Sequence, residues 1–324
     1  MKLFVTGGTG FVGTQTVRRL AERGHEVRCL VRESSRVEPL RAAGCDLVTG
    51  DLLDRAALLR GMSGRDAVIH IAAAYSFWVP RRREYTDVNV TGTRNVMECA
   101  LEVVASKVVH VSSLVVYGKP AERPFTERSA AGPDRFSEYA RTKEAGDRVA
   151  WELHKSQGLP LVVVYPGGIL GPDDPKATGQ YVRNLVRRRL PATVFHDSVF
   201  PWVHVRDVAE ILVRAAEKPG NSGERYFAAA ENLTFGEINE LIREASGVPL
   251  PRLCLSAGLT MSFAALLTAL SGLTRRPPPW GMALDQMRTM KEGAFVDGGK
   301  AARELGIEYT PIRTAIEQAV ASLR

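Results

Sequence analysis

Tyr139 and Lys143 stand four residues apart in Tyr139-Ala140-Arg141-Thr142-Lys143. On a helix that spacing puts both side chains on one face, one turn apart. A phenol with an ordinary pKa of ~10 is a poor acid or base near neutrality. A neighbouring ammonium favours the phenolate and draws that pKa toward the working range, while its other protons can hold a ribose. The pair therefore suits proton transfer at an oxygen. Upstream, Val111-Ser112-Ser113-Leu114 sets two hydroxyls at the end of an apolar run. A Tyr-x-x-x-Lys spacing alone also arises by chance on solvated helix faces, so its weight depends on what accompanies it.

What accompanies it is a glycine turn. Leu3-Phe4-Val5-Thr6 is a short run of β character, followed by glycines at Gly7, Gly10 and Gly13 and then a helical pattern. Between a strand and a helix, G-x-x-G-x-x-G is a dinucleotide-binding pattern. Gly7 allows the tight turn, Gly10 the approach of backbone to a pyrophosphate, and Gly13 close packing of the helix on the strand. The anion meets free N–H groups at the helix start. Such folds usually carry a ribose-reading acid about 20 residues further on. Here Arg32 stands 19 residues beyond Gly13, with Ser34, Ser35 and Arg36 after it. A guanidinium forks onto a phosphate where an acid would repel one, which favours NADP(H) over NAD(H). Glu33 adjoins Arg32 and blurs the signal, and alone Arg32 reads as a surface arginine. Asp51-Leu52 ends a further strand, where the carboxylate either accepts from an adenine amine or caps the next helix. Ala72-Ala73-Ala74 follows another, with side chains small enough for a cofactor to approach backbone.

Those residues need a scaffold, and the chain alternates strand and helix to supply it. Strands are expected at 3–6, 25–31, 46–50, 67–71, 108–111 and 161–165, and helices at 11–23, from Asp54, at 88–105 and at 139–157. Continuous apolar runs such as Leu161-Val162-Val163-Val164-Tyr165 are those of parallel strands buried on both faces. The reading is an α/β fold, a doubly wound parallel Rossmann sheet with ligand at the carboxyl strand ends. Residues 1–165 form the dinucleotide-binding domain, with about 197–217 returning to it. Residues 166–324 form a smaller, helix-rich substrate lobe with short strands near Val203 and Arg225-Tyr226-Phe227.

The chain has 324 residues, 45% hydrophobic and 24% charged, with a net charge of +7. That balance suits a globular enzyme. Its arginine runs carry no aromatic interleaving, so no nucleic-acid partner is expected. Cys29, Cys45, Cys99 and Cys254 lack metal spacing, so free thiols, no metal and a reducing, cytoplasmic compartment are expected. Strand one begins at once, with no room for a signal peptide. The apolar segment 256–273 is at the short limit for a membrane span; it reads as a buried or lid helix, or as a weak membrane-surface contact.

Across nearly its whole length the chain resembles the extended short-chain dehydrogenase/reductase family. The resemblance rests on the glycine turn, Asp51-Leu52, Ala72 to Ala74, Val88-Asn89-Val90-Thr91-Gly92-Thr93, Ser112-Ser113 with Tyr117-Gly118, Tyr139/Lys143 and Val203-His204-Val205-Arg206-Asp207-Val208-Ala209. Within the family it is similar to dihydroflavonol-4-reductase-like and 3β-hydroxysteroid-dehydrogenase-like members. The resemblance implies Tyr139 as general acid/base, Lys143 as its tuner and ribose ligand, and Ser113 as holder of the substrate oxygen. It adds Phe11, Val12, Pro166, Gly167 and Ile169 to the cofactor contacts, places Asn89 near the cofactor, and implies a homodimer through helices spanning about 89–105 and 139–157.

One departure bears on substrate. Nucleotide-sugar epimerases of the family commonly carry an arginine where this chain has Phe200. Tyr75, Phe77, Trp78, Phe200 and Trp202 suggest an apolar, aromatic pocket instead, though aromatics also pack cores. The expected activity is NADP(H)-dependent interconversion of a carbonyl and a secondary alcohol on a small apolar or aromatic substrate. The alternative is an NAD-dependent nucleotide-sugar epimerase/dehydratase, for which Arg183, Arg187 or Arg288 would have to turn inward and replace the missing cation.

Overall fold

The structure, a computed structural model, describes residues 1–323. Its strands are β1 (Lys2–Thr6), β2 (Glu26–Val31), β3 (Asp46–Thr49), β4 (Ala67–His70), β5 (Lys107–Val111), β6 (Leu161–Pro166), β7 (Gly168–Leu170), β8 (Thr193–Val194), β9 (Val199–His204), β10 (Arg225–Ala228), β11 (Glu231–Thr234) and β12 (Cys254–Leu255). Its helices are α1 (Phe11–Glu22), α2 (Glu38–Ala42), α3 (Arg55–Met62), α4 (Arg83–Thr86), α5 (Thr93–Glu102), α6 (Glu138–Gln157), α7 (Ala177–Val186), α8 (Val205–Glu217), α9 (Phe235–Ser246), α10 (Ala257–Thr274), α11 (Leu284–Glu292), α12 (Gly299–Leu305) and α13 (Ile312–Ala321).

Seven strands pair in parallel in the order β3-β2-β1-β4-β5-β6-β10. The strands supply two cores because successive side chains point to opposite faces. Phe4, Val68, Val108, Leu161 and Val163 pack on one side with Leu58, Met97 and Val149 of α3, α5 and α6. Leu3, Val5, Ile69, Val109, Val162 and Val164 pack on the other with Val17, Leu20, Val208 and Leu212 of α1 and α8. Burial on both faces is why these strands read as unbroken apolar runs.

The return to the sheet reaches further than 217. Helix α8 lies against α1, tied by Arg19 to Glu210 at 2.5 Å and Arg23 to Glu217 at 2.8 Å, and β10 then adds the outer strand beside β6. Strand β9, which precedes α8, stands apart from the main sheet and pairs with β7 and β11 in a second, three-stranded sheet. That sheet carries a third core, including Trp202, Phe235, Ile238, Ile312 and Ile316. The expected helix at 88–105 begins instead with a π-helical turn, Asp87–Gly92, before α5. Asn89 sits inside that turn.

Helix α6 carries Tyr139 and Lys143, and its start is fixed locally. The Ser137 hydroxyl at the N-cap accepts from the Ala140 N–H at 3.1 Å. This satisfies one of the donors a helix start leaves unpaired. Asp54 caps α3 in the same way, accepting from the Ala57 N–H at 2.9 Å.

Candidate active site

Loops after β1, β4 and β5 meet where the strand order reverses, between β1 and β4. This is the crevice in which open parallel sheets bind ligands. Gly7 follows β1 with φ +76°, and a Cβ there would stand 2.5 Å from the Ala72 nitrogen. A Cβ on Gly13 would stand 2.0 Å from the Gly7 carbonyl oxygen. Gly13 is therefore needed to let α1 seat on the glycine turn itself, a tighter contact than helix on strand. Gly10 forms the N-cap of α1 and caps nothing with a side chain, so the first-turn N–H groups of Phe11 and Val12 are offered to an anion. A Gly13→Ala substitution is expected to weaken dinucleotide binding by at least roughly tenfold, because methyl and carbonyl cannot share that space. Fluorescence titration with the dinucleotide checks it; unchanged affinity in a folded variant contradicts the cradle.

Arg32 follows β2, exposed and without an acidic partner among the described residues. The Ser35 hydroxyl accepts from the Arg32 backbone N–H at 3.1 Å, which shapes the turn and leaves the guanidinium free. Asp51 is exposed after β3 and its carboxylate accepts from the Leu53 N–H at 3.1 Å, while Leu52 is buried. Ala72, Ala73 and Ala74 are half-buried. Asn89 holds that loop: its Oδ1 accepts from the Ala74 N–H at 2.8 Å and its Nδ2 donates to the Thr142 hydroxyl at 3.1 Å. Asn89 thus joins the loop after β4 to the first turn of α6. Pro166 ends β6, Gly167 donates its N–H to the Ala228 carbonyl at 3.0 Å, and Ile169 packs half-buried in β7.

Tyr139 is 6% exposed and Lys143 1% exposed. Burial pushes the Tyr139 phenol above its ordinary range; Tyr75 adds to that rise and the Ser113 hydroxyl opposes it. Lys143 donates to the Val111 carbonyl at 2.8 Å rather than to the phenol. Desolvation dominates at the phenol here, and Lys143 is not among the groups that lower it. Burial also drives the Lys143 ammonium down to about 8, with Asp147 opposing.

Asp147, one turn beyond Lys143, and His110, inside β5, belong to this site but were not legible as functional. The Asp147 carboxylate accepts from Ser112 Oγ at 2.6 Å and bonds His110 Nε2 at 3.0 Å. His110 stacks on His70 with ring centroids 5.2 Å apart, and His70 bonds the Thr6 and Thr93 hydroxyls. Burial holds both imidazoles below their ordinary range, hence neutral. The available signal for Asp147 is the continued spacing Tyr139, Lys143, Asp147 along one helix face.

The surroundings of Tyr139 are largely aromatic. Tyr75 packs edge-on against Tyr139 at 5.1 Å, and Phe77 against Tyr75 at 5.9 Å. A shallow hollow, open to solvent, is lined by Ala140, which follows Tyr139 in α6, and by Leu114, Val115, Phe136, Phe200 and Thr289 among others, none charged. Trp78 lies half-buried on the loop with Tyr75, braced by Ser76. Trp202 does not line the hollow. Two residues along β9, it shares a strand face with Phe200, and the two rings lie 5.7 Å apart. Trp202 sits deeper, 5% exposed, donating to the Leu233 carbonyl at 3.2 Å and packed on Phe235. Its place is the core of the smaller lobe, behind Phe200. Neither Arg187 nor Arg288 turns inward; Arg187 is exposed and Arg288 pairs with Asp285 at 3.7 Å. Arg183 reaches the Asp174 carbonyl instead.

Sheet order, glycine turn and the Ser113, Tyr139 and Lys143 cluster define an extended short-chain dehydrogenase/reductase, an oxidoreductase on a Rossmann fold. The chain belongs to the NAD dependent epimerase/dehydratase family, whose family model matches residues 3–229. It is 32% identical to a putative dihydroflavonol 4-reductase of Synechocystis over 324 residues, covering 98% of this chain and 93% of the relative. It is 33% identical to sterol demethylase protein B of Methylococcus capsulatus over 329 residues, covering 100% and 98%. Among solved structures it is similar to gox2253, at 31% identity and TM-score 0.86, covering 99% of this chain and 97% of that one.

Proposed function

We propose that this chain interconverts a carbonyl and a secondary alcohol on an apolar or aromatic substrate, with NADP(H) as its dinucleotide. The observation that carries the substrate class is the apolar surround of α6: Tyr75 and Phe77 pack against Tyr139, and the shallow hollow lined by its neighbour Ala140 is walled by Leu114, Val115, Phe136 and Phe200 and by no cation. A diphosphate buried without cationic partners is costly, whereas apolar surface gains about 25 cal/mol per Å² buried. Relatives named for a dihydroflavonol reductase and a sterol demethylase protein agree with a ring-sized apolar substrate.

The residues present fit a nicotinamide dinucleotide, because the close-packed glycine turn leaves the first N–H groups of α1 uncapped by any side chain and open to an anion. When bound, that group supplies or accepts the hydride at the carbonyl carbon. Tyr139 gives its Oη proton to the carbonyl oxygen on reduction and takes it back on oxidation. Ser113 holds the same oxygen and orients it. Lys143 holds a ribose and compensates negative charge at the phenol, while Asp147 keeps the ammonium charged. Arg32 takes a 2′-phosphate.

Arg32→Asp is expected to lower NADPH affinity on the order of tenfold or more while sparing or improving NADH affinity. Binding isotherms of both chains decide it; a wild type that binds NADH as tightly as NADPH removes the cofactor assignment. Calorimetry with UDP-sugars against flavanonols, steroid ketones and aryl ketones tests the substrate class. Micromolar UDP-sugar binding with silence from every ketone would instead favour the epimerase reading.

A further inference from the structure

Helix α10 is inside out. The residues that face the protein are small or hydroxylated: Thr260, Ala264 and Ser271 are buried. The large apolar ones face solvent: Leu259 is 54% exposed, Phe263 49%, Leu266 56%, Leu270 47% and Leu273 83%. A helix of a water-soluble surface does the reverse, turning its apolar stripe to the core. Exposed apolar groups clustered in this way mark an interaction surface rather than the scatter of single side chains that any protein shows.

Charge identifies the partner. From Ala245 to Leu284 the chain has no acidic residue, while Arg252 precedes the helix and Arg275 and Arg276 follow it, all exposed. Trp280 stands 50% exposed just beyond the arginines. An apolar face with arginines at both ends and a tryptophan at one is the pattern of a helix lying at a lipid–water boundary. A second copy packed on the same face, antiparallel or parallel, would bring arginine clusters together, and like charges in contact disfavour it. Anionic headgroups match those arginines.

The fold also fixes how the helix meets lipid. Its start is held by β12, which pairs with β8, and beyond its end the Leu284 N–H donates to the Thr268 hydroxyl at 2.9 Å. Both ends return to the same body, so the helix cannot place them on opposite sides of a bilayer. We propose that α10 lies in the plane of an anionic membrane surface, its leucine and phenylalanine face among the acyl chains and Arg252, Arg275 and Arg276 among the headgroups. Helix α10 packs on α11 through Ala264, Met261 and Met287, and Thr289 of α11 lines the same hollow as Ala140 of α6. The lipid-facing helix is thus one helix away from that hollow.

Co-sedimentation of the full chain with vesicles tests this, using equimolar phosphatidylglycerol and phosphatidylcholine against phosphatidylcholine alone. The wild type should pellet with the anionic vesicles and release as salt rises. The double variant Leu266→Glu with Leu270→Glu should lose at least roughly tenfold in partitioning, and Arg275→Gln with Arg276→Gln roughly thirtyfold on anionic vesicles only. All four positions are exposed. A second reading uses the wild type itself: brominated lipid should quench its tryptophan fluorescence, and Trp280→Phe should abolish that quenching. A wild type that stays in the supernatant with both vesicles, or binding indifferent to both double variants, overturns the proposal. A solution dimer that Leu266→Glu splits, with no vesicle binding, assigns the face to a second copy instead.

Discussion

Tyr139→Phe is expected to lose turnover by on the order of 10²- to 10⁴-fold, the usual worth of a positioned acid/base, with dinucleotide affinity unchanged. The substitution deletes one oxygen and leaves the ring that packs against Tyr75 at 5.1 Å and Phe77 at 6.4 Å, so the site's walls stay in place. Burial holds the phenol protonated through the neutral range, which suits a donor to a carbonyl oxygen. Reduction should therefore persist toward mildly alkaline pH, and oxidation should need the phenolate and rise with pH. Single-turnover rates with saturating dinucleotide measure the chemical step apart from release. Near wild-type rates in the variant would transfer the acid/base role elsewhere.

Lys143→Met should cost most of the turnover and yet stabilise the fold near neutral pH. The ammonium is 1% exposed and its pKa is driven down to about 8 from 10.5. The folded chain therefore binds this proton less tightly than the unfolded chain does. The gap corresponds to about 3 kcal/mol against folding below pH 8. As pH rises from about 8 to 10.5 the unfolded chain still holds the proton that the folded chain has lost, so stability rises and the penalty fades. Methionine removes the charge and keeps much of the stem. It also leaves the Val111 carbonyl without its 2.8 Å donor, worth about 1 kcal/mol. The net expectation is about 2 kcal/mol of stabilisation at pH 7 that passes through zero at about pH 10 and becomes a deficit of about 1 kcal/mol above it. Denaturant unfolding of both chains across that range reads the difference directly. A variant less stable than wild type at pH 7 would mean that the buried ammonium is well compensated, by Asp147 and the Val111 carbonyl.

Most of the Rossmann sheet was legible because its strands are buried on both faces and its turns carry glycine. Gly7 and Gly13 were readable for the same reason: a residue without a side chain, between strand and helix, has few other uses. The smaller lobe was harder. Its strands β7, β8, β11 and β12 run two to four residues each, too short for a period of two to show. The Asp87–Gly92 turn was hidden because a π-helical turn and an α-helix share nearly one sequence pattern. Asp147 and His110 stayed hidden for a different reason. Each has the look of an ordinary helix or strand position until the fold sets them 3.0 Å apart beneath Lys143. Phe200 reads as a pocket wall and does line the hollow, while Trp202, two residues on, is sealed behind it in the core. Both residues are aromatic and share a strand face, so neither composition nor alternation separates them. Helix α10 was visible as apolar, but which of its faces would meet water depends on the small residues Ala264 and Ser271 packing inward, a choice made by tertiary contact.

Consumption of NADPH by the wild-type chain, followed by absorbance across a panel of flavanonols, steroid ketones, aryl ketones and aldehydes, decides the assigned chemistry most directly. The expected result is oxidation of NADPH by at least one apolar carbonyl, slower with NADH, and lost in Tyr139→Phe. The contrary result is a chain that leaves every carbonyl untouched with either dinucleotide, yet interconverts UDP-sugars with NAD and no net change in its absorbance.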